Sequence, residues 1–276
     1  MQSAAQAIFK EWCPPIVLTA TIVLVAIIYL RGWFLIRKTR RMQFPAWRLA
    51  SFILGLGTIW VAIASPLDGF ADALLSAHMV EHLLLMSFVP PLVLLGFPVV
   101  PLLRGLPKGI RNIVFGPLIR SNSLRRIAHW LITPLVAWFA MNLMFVSWHI
   151  PAAYDFALEH EHWHEIEHMC FLGTSMLFWW PVIRPWPMKA NGMGWLLLPY
   201  LVLADLVNTI LSAFLAFCDR PVYSYYLRQP NPFHISPMTD QRAGAAAMWV
   251  IGSLIFLLPA MLVTVRLLQR NQKPRL

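Results

Sequence analysis

The chain has 276 residues, of which 59% are hydrophobic and 12% charged, and its formal net charge is +10. Because soluble proteins carry about 25% charged residues, this composition excludes an ordinary soluble domain and predicts an integral membrane protein. The positive charge does not indicate nucleic-acid binding, since the basic residues lie in short segments between long apolar runs. In that arrangement they act as topology signals and as contacts for lipid headgroups.

A membrane-spanning helix needs about 20 mostly apolar residues. Seven segments meet this requirement and predict an all-α, polytopic protein in which residues 1–276 form one transmembrane domain. The predicted spans are 15–36, 46–64, 72–96, 129–149, 162–183, 193–218 and 243–268. The first is too long for the apolar core of a signal peptide, so we expect it to remain as a helix. The segment 97–128 contains glycine, proline and six basic residues, which predicts a loop with a short interfacial helix.

The connecting segments alternate in charge along the chain. The segments that follow predicted spans one, three, five and seven, counted together with Arg48 and Arg266 at the adjoining span ends, hold 17 of the 22 basic residues and none of the 12 acidic ones. Short loops rich in lysine and arginine stay on the cytoplasmic side of a membrane. The pattern therefore predicts that the N-terminus lies outside and the C-terminus inside.

Eight of the nine histidines fall on the predicted outer side, and His129 is the exception. His78 and His82 are four residues apart in the third span, so they share one helical face on consecutive turns. The fifth span repeats this spacing at positions 164 and 168, and a further histidine at 149 ends the fourth span. Two such pairs that face each other would supply four imidazoles, with His149 approaching from a third helix.

Methionines and glutamates accompany these histidines. Met86 continues the stripe of His78 and His82, and Met79 lies beside it. Imidazole and thioether together suit copper, particularly Cu(I), better than magnesium or calcium. Ionisable side chains inside a membrane segment face the bundle interior and indicate function. The predicted metal ligands are His78, His82, His149, His164, His168, Glu81, Met79 and Met86, and Glu165 and Glu167 are further neighbours of the histidines.

Other interpretations of the same residues stay open at this point. A single histidine near a membrane interface is usually a hydrogen-bonded interfacial residue, and a single methionine usually serves packing. Histidines on two helices can also clamp a haem, which would make the chain an electron carrier. The residues from His78 to His82 fit H-x-x-E-H, the motif of inverted zinc peptidases. Asp205 and Asn208 near the middle of the sixth span are structural hydrogen-bonding groups or proton carriers.

Three strings carry a resemblance to a known family. They are SAHMVEHLLLM at 76–86, SWHIPAAYDFAL at 147–158 and HEIEHMCFLGTSMLFWWPVI at 164–183. The chain resembles the CtaG-type cytochrome c oxidase assembly factors, which are seven-helix proteins of the bacterial plasma membrane. The resemblance implies a non-enzymatic role in oxidase maturation, with copper supplied to the copper-containing catalytic subunit of the oxidase. It also implies an outer-side copper donor as a partner.

Overall fold

The computed structural model describes residues 12–185, 194–229, 231 and 233–272. Every regular element in these ranges is helical, which confirms the all-α prediction. The longer helices are α1 Ile16–Arg37, α2 Ala46–Ala64, α3 Pro66–Ala73, α4 Leu75–Leu83, α5 Val89–Leu95, α6 Val99–Gly105, α7 Asn122–Leu131, α8 Pro134–Trp148, α9 Pro151–Glu159, α10 Glu161–Ile183, α11 Leu197–Phe217 and α12 Pro237–Gln272. Shorter helical turns lie at Lys108–Ile110, Gly116–Arg120, Gly194–Leu196 and Tyr225–Arg228, and wider π-helical turns lie at Leu84–Phe88 and Arg111–Phe115.

Several helices are long and apolar enough to cross a membrane. Among the described residues these are Ile16–Arg37, Ala46–Ala64, Leu75–Leu95, Gly194–Phe217 and Pro237–Gln269, with a sixth if the bent pair α7 and α8 crosses as one span. The predicted fifth span is present as α10, whose 23 residues are long enough to cross. Its histidines and glutamates make it more polar than the others. The chain is therefore a multi-pass membrane protein, while seven spans and the orientation stay predictions.

The predicted third span, 72–96, is wrong at its start. The Ser65 side chain accepts a hydrogen bond from the backbone N–H of Leu67 and caps α3 as a separate helix. Leu74 then adopts an extended conformation, with φ of −136° and ψ of 125°, before α4 begins. The break turns the chain so that α3 and α4 pack against each other.

The predicted fourth span, 129–149, is also wrong at its start, because a bend of 65° separates α7 from α8. Thr133 is extended, and Pro134 starts α8 because its ring suits the first turn but cannot continue a preceding helix. The predicted loop 97–128 is largely helical, and the predicted seventh span is too short, since α12 extends beyond it at both ends.

The π-helical turn Leu84–Phe88 joins α4 to α5 within one continuous span. Pro90 has no N–H, so the carbonyl of Met86 loses the donor that an α-helix would supply four residues later. The indole nitrogen of Trp179 on α10 donates to this carbonyl instead, at 3.3 Å. The contact holds α10 against the helix that carries His78 and His82.

Asp240 in the first turn of α12 holds the start of α4. Its buried carboxylate accepts hydrogen bonds from the backbone N–H groups of Leu75 (2.6 Å) and Ser76 (3.1 Å) and from the Ser76 hydroxyl (2.5 Å). These N–H groups belong to the first turn of a helix, where no carbonyl of the helix can accept from them. The position of α4 along α12 is therefore fixed by a charged acceptor.

Substitution of Gly32 or Gly105 by alanine should destabilise the packing of α1 against α6. A Cβ atom on Gly32 would overlap the backbone carbonyl of Pro101, and one on Gly105 would overlap that of Ile28. Because backbone cannot yield as a side chain can, we expect a loss of about 1–3 kcal/mol in the free energy of unfolding. Thermal unfolding of the purified protein in detergent measures it. Gly57→Ala is the control, since no atom lies within 4 Å of its added Cβ; equal melting temperatures for all three variants would contradict the packing.

Asp240→Ala should release the start of α4. Loss of a buried charged acceptor costs about 1.5–3 kcal/mol, which corresponds to amide exchange about 10 to 100 times faster at Leu75 and Ser76 if opening is local. Hydrogen–deuterium exchange with mass spectrometry reads both amides. Asp155→Ala is the matched control, because its carboxylate accepts from the amides of Ser224 and Tyr225 instead. Unchanged exchange at Leu75 in Asp240→Ala would show that the carboxylate does not hold α4.

Candidate metal centre

Four histidine rings meet where α4 approaches α10. The ring centroids lie 4.1 Å apart for His78 and His82 and 4.2 Å apart for His164 and His168. Across the two helices, His78 lies 5.2 Å from His164, and His82 lies 5.5 Å from His168. The two pairs predicted from their four-residue spacing are thus one cluster.

The same pattern, His-x-x-Glu-His, is present on both helices and is cross-paired between them. His82 Nε2 on α4 lies 3.8 Å from Oε1 of Glu167 on α10. Reciprocally, His168 Nε2 on α10 lies 3.4 Å from Oε1 of Glu81 on α4. Each carboxylate therefore faces a histidine of the opposite helix, and the arrangement has approximate twofold character.

The cluster is buried, and its polar atoms lack hydrogen-bond partners. His78 and Glu81 are fully inaccessible, Glu167 is 1% exposed and His82 is 4% exposed. Within the described part of the chain, both ring nitrogens of these two histidines and all four carboxylate oxygens have no hydrogen-bond partner. A buried polar group without a partner costs about 1–3 kcal/mol, and more if it is charged. Most of the buried polar atoms that lack a partner in the described ranges belong to this cluster, and such a concentration is typical of a binding site.

One subset of the cluster has the geometry of a metal centre. Each of His78, His82, His164 and Glu167 offers a ligand atom, and these four atoms lie within 4.8 Å of one another. Three imidazoles and one carboxylate suit copper or zinc, whereas calcium and magnesium prefer oxygen ligands throughout. A cation at this place would also stabilise the ionised form of the two buried carboxylates, which an apolar interior otherwise disfavours.

His149 lies beside the four-residue subset and not within it. Its Nδ1 hydrogen-bonds the carbonyl of Phe145 at 2.7 Å, and a carbonyl can only accept, so Nδ1 carries the proton. This leaves the lone pair on Nε2, which is buried and has no partner among the described residues. His149 and His82 both approach Phe171, with ring centroids at 6.3 Å and 4.7 Å.

The two predicted methionine ligands lie at a cavity beside the cluster. Met79 and Met86 are buried and line a cavity that His82 and His149 also line. The remaining histidines of the predicted outer side are exposed residues, at positions 160, 162 and 234, and Glu165 is exposed as well. Their interpretation as solvated loop or surface residues agrees with this exposure.

Two residues of the site were not among the predicted ligands. Glu167 follows His164 by three residues, so helical spacing places both on one face, and the repeat of His-x-x-Glu-His could have identified it. Tyr154 of α9 lies 5.2 Å from His78 and stacks on Tyr223 at 3.9 Å. Its neighbour Asp155 accepts from the amide and hydroxyl of Ser224 and so holds α9 over the cluster. No sequence spacing indicates this long-range contact.

Comparison with known proteins identifies relatives for most of the chain. Uncharacterized proteins of Mycobacterium bovis and Mycobacterium tuberculosis are each 26% identical over 255 residues, and one of Mycobacterium leprae is 26% identical over 275 residues. These matches cover 89% of this chain for the first two and 94% for the third. The chain spans only 37% to 39% of the length of these relatives. No solved structure matches.

A family model gives the assignment. It describes the cytochrome c oxidase caa3 assembly factors (Caa3_CtaG) and matches residues 27–270, a range that contains the whole histidine cluster. This match covers far more than half of the chain and agrees with the resemblance of the three histidine-bearing strings. The chain therefore belongs to the family of cytochrome c oxidase caa3 assembly factors.

Proposed function

We propose that this protein binds copper at the cluster of α4 and α10 and delivers it to the copper-containing catalytic subunit of a cytochrome c oxidase. The single observation that carries the proposal is the buried group of His78, His82, His164 and Glu167, whose ligand atoms lie within 4.8 Å. The assembly-factor family makes an oxidase the expected partner, and the long apolar helices support a location in the same membrane as that partner. We assign that membrane to the bacterial plasma membrane, with its lipid as the surrounding partner.

The role we propose is transfer without catalysis. Flanking residues His168 and Glu81 offer second donors next to the four-residue group, so copper can exchange ligands stepwise while it remains coordinated. Ligand-by-ligand exchange suits a carrier, because no step then leaves a bare ion in an apolar interior. A copper donor would deliver the ion at the end of the bundle where α3 and α9 cover the cluster.

Carboxylates of α3 provide a route of approach at that end. Asp68 is exposed at the surface, yet partial desolvation by neighbouring residues, together with the negative charges of Asp72 and Glu161, raises its pKa to about 6. Asp68 is therefore ionised at neutral pH and becomes neutral as the pH falls below about 6. Because α3 packs directly against α4, its negative charge would attract a cation toward the cluster.

Two other interpretations predict different observables. A haem clamped by the histidines requires a macrocycle between two imidazoles, whereas the rings of His78 and His164 stack on each other with their centroids 5.2 Å apart. An inverted zinc peptidase would use Glu81 as its general base. If the protein is such a peptidase, Glu81→Gln abolishes peptide hydrolysis while the metal stays bound. If it is a haem carrier, the purified protein shows a Soret band with stoichiometric haem.

His164→Gln and Glu167→Gln should each lower the affinity for copper by about tenfold or more, since each removes a proposed ligand or its charge. Metal analysis of the purified protein, loaded with copper and then dialysed, measures the loss. His162→Gln is the matched control, because it makes the same change two residues earlier on α10 at an exposed position. In a bacterial host that lacks its own copy, the first two variants should leave the oxidase deficient in copper, and the control should restore it. Full copper binding by both variants would reject the site.

Asp68→Asn should slow copper loading severalfold at pH 7 and remove part of the pH dependence of the loading rate. In the unsubstituted protein that rate should fall as the pH drops through about 6, because Asp68 then loses its charge. Stopped-flow measurement of metal uptake at several pH values tests this, and added salt should reduce the difference. Asp219→Asn, at an exposed loop position after α11, is the control. Equal rates for Asp68→Asn and the unsubstituted protein would exclude the proposed route.

A further inference from the structure

A cavity adjoins the histidine cluster and extends from it toward the middle of the long helices. It is bounded by α4, the π-helical turn, α8, α11 and α12. His82 belongs both to its lining and to the group of proposed copper ligands. The cavity and the cluster therefore share one imidazole.

The lining of this cavity is rich in methionine, whose thioether group is polarisable. Among the residues that the structure describes, the methionines that line the cavity are Met79, Met86, Met141 and Met248, and each is buried. They come from three different parts of the bundle, since Met141 belongs to α8 and Met248 to α12. A thioether is a soft ligand that selects Cu(I) over zinc and other divalent cations.

Two imidazole nitrogens complete the donor set. His149 Nε2 and His82 Nε2 are buried without hydrogen-bond partners in the described ranges, and both side chains line the cavity. The bond from His149 Nδ1 to Phe145 fixes the tautomer in which Nε2 can bind a metal. Apolar packing alone explains a buried methionine, but it leaves these nitrogens without a role.

We propose that this cavity is a second metal site, specific for a soft monovalent cation, with Met86, Met141, Met248 and His149 as its ligands and His82 as the bridge to the cluster. The inference rests on the proposed copper function and adds that copper passes through the cavity as Cu(I). No electron transfer is involved, because imidazole and thioether both bind copper in that state. The cluster alone, with its carboxylates, also accepts divalent zinc.

The test compares a soft cation with a borderline one on the full chain in detergent. Ag(I) serves as a redox-inert probe for Cu(I), and Zn(II) serves as the probe for the cluster. Because Ag(I) also binds thiols, every protein in the test carries serine in place of the free cysteines Cys13, Cys170 and Cys218. In this background we expect the protein without further substitution to retain one more equivalent of Ag(I) than of Zn(II). The double variant Met141→Leu with Met248→Leu, which nearly conserves volume, should lose that equivalent and keep its Zn(II). Met42→Leu with Met261→Leu is the control, since both methionines are exposed.

X-ray absorption of the silver-loaded protein in the same cysteine-free background gives a second reading that needs no methionine variant. Sulfur neighbours of the metal then come from thioethers and support the cavity site, and a shell of nitrogen and oxygen alone overturns it. Retention of the additional Ag(I) by the double variant also overturns it. Loss of Zn(II) in His164→Gln with the additional Ag(I) retained shows that the two sites are separate. If neither Zn(II) nor copper binds at the cluster while Ag(I) is still bound to sulfur, the proposed function is rejected and the cavity site is supported.

Discussion

Burial of two carboxylates among four imidazoles, where α4 meets α10, is the constraint on which the rest of the structure depends. Glu81 and Glu167 are almost inaccessible and have no hydrogen-bond partner in the described ranges. In an apolar bundle such groups are tolerated only if something holds them together against their own repulsion and desolvation. The surrounding contacts do this, because the indole of Trp179 ties α10 to the π-helical turn and Asp240 ties α4 to α12.

Length and apolar composition predict most of the fold, because membrane helices must satisfy their backbone internally and therefore have a characteristic length. The errors in the predicted helix boundaries lie where an extended residue interrupts an apolar segment. Leu74 and Thr133 are extended. Pro134 after Thr133 is a sequence signal for a helix start, whereas Leu74 indicates no break by itself. The break at Leu74 is stabilised by Asp240, a residue far along the chain. Long-range contacts of this kind leave no trace in a single sequence.

Helical spacing likewise predicts much of the candidate site. The pairs at four-residue spacing present their rings on one face, and the structure brings the two faces together. Spacing does not reveal which neighbouring helix a face meets, so the cross-pairing of His82 with Glu167 could not be predicted. His149 was correctly expected near the pairs, yet its bond to Phe145 directs it to the cavity side. The sequence spacing shows which side chains share a helical face, but only the packing shows which helix that face contacts.

Two donor sets of different softness in succession give the proposed carrier a means of selection. A divalent zinc ion satisfies the imidazoles and carboxylates of the cluster but finds poor ligands among thioethers. Cu(I) binds acceptably in both sets, so it alone can move from one to the other without losing coordination. Since specificity is a difference in affinity between competing ions, a second, softer set discriminates even where the first does not. His82 belongs to both sets, so the ion can change compartments while one ligand stays bound.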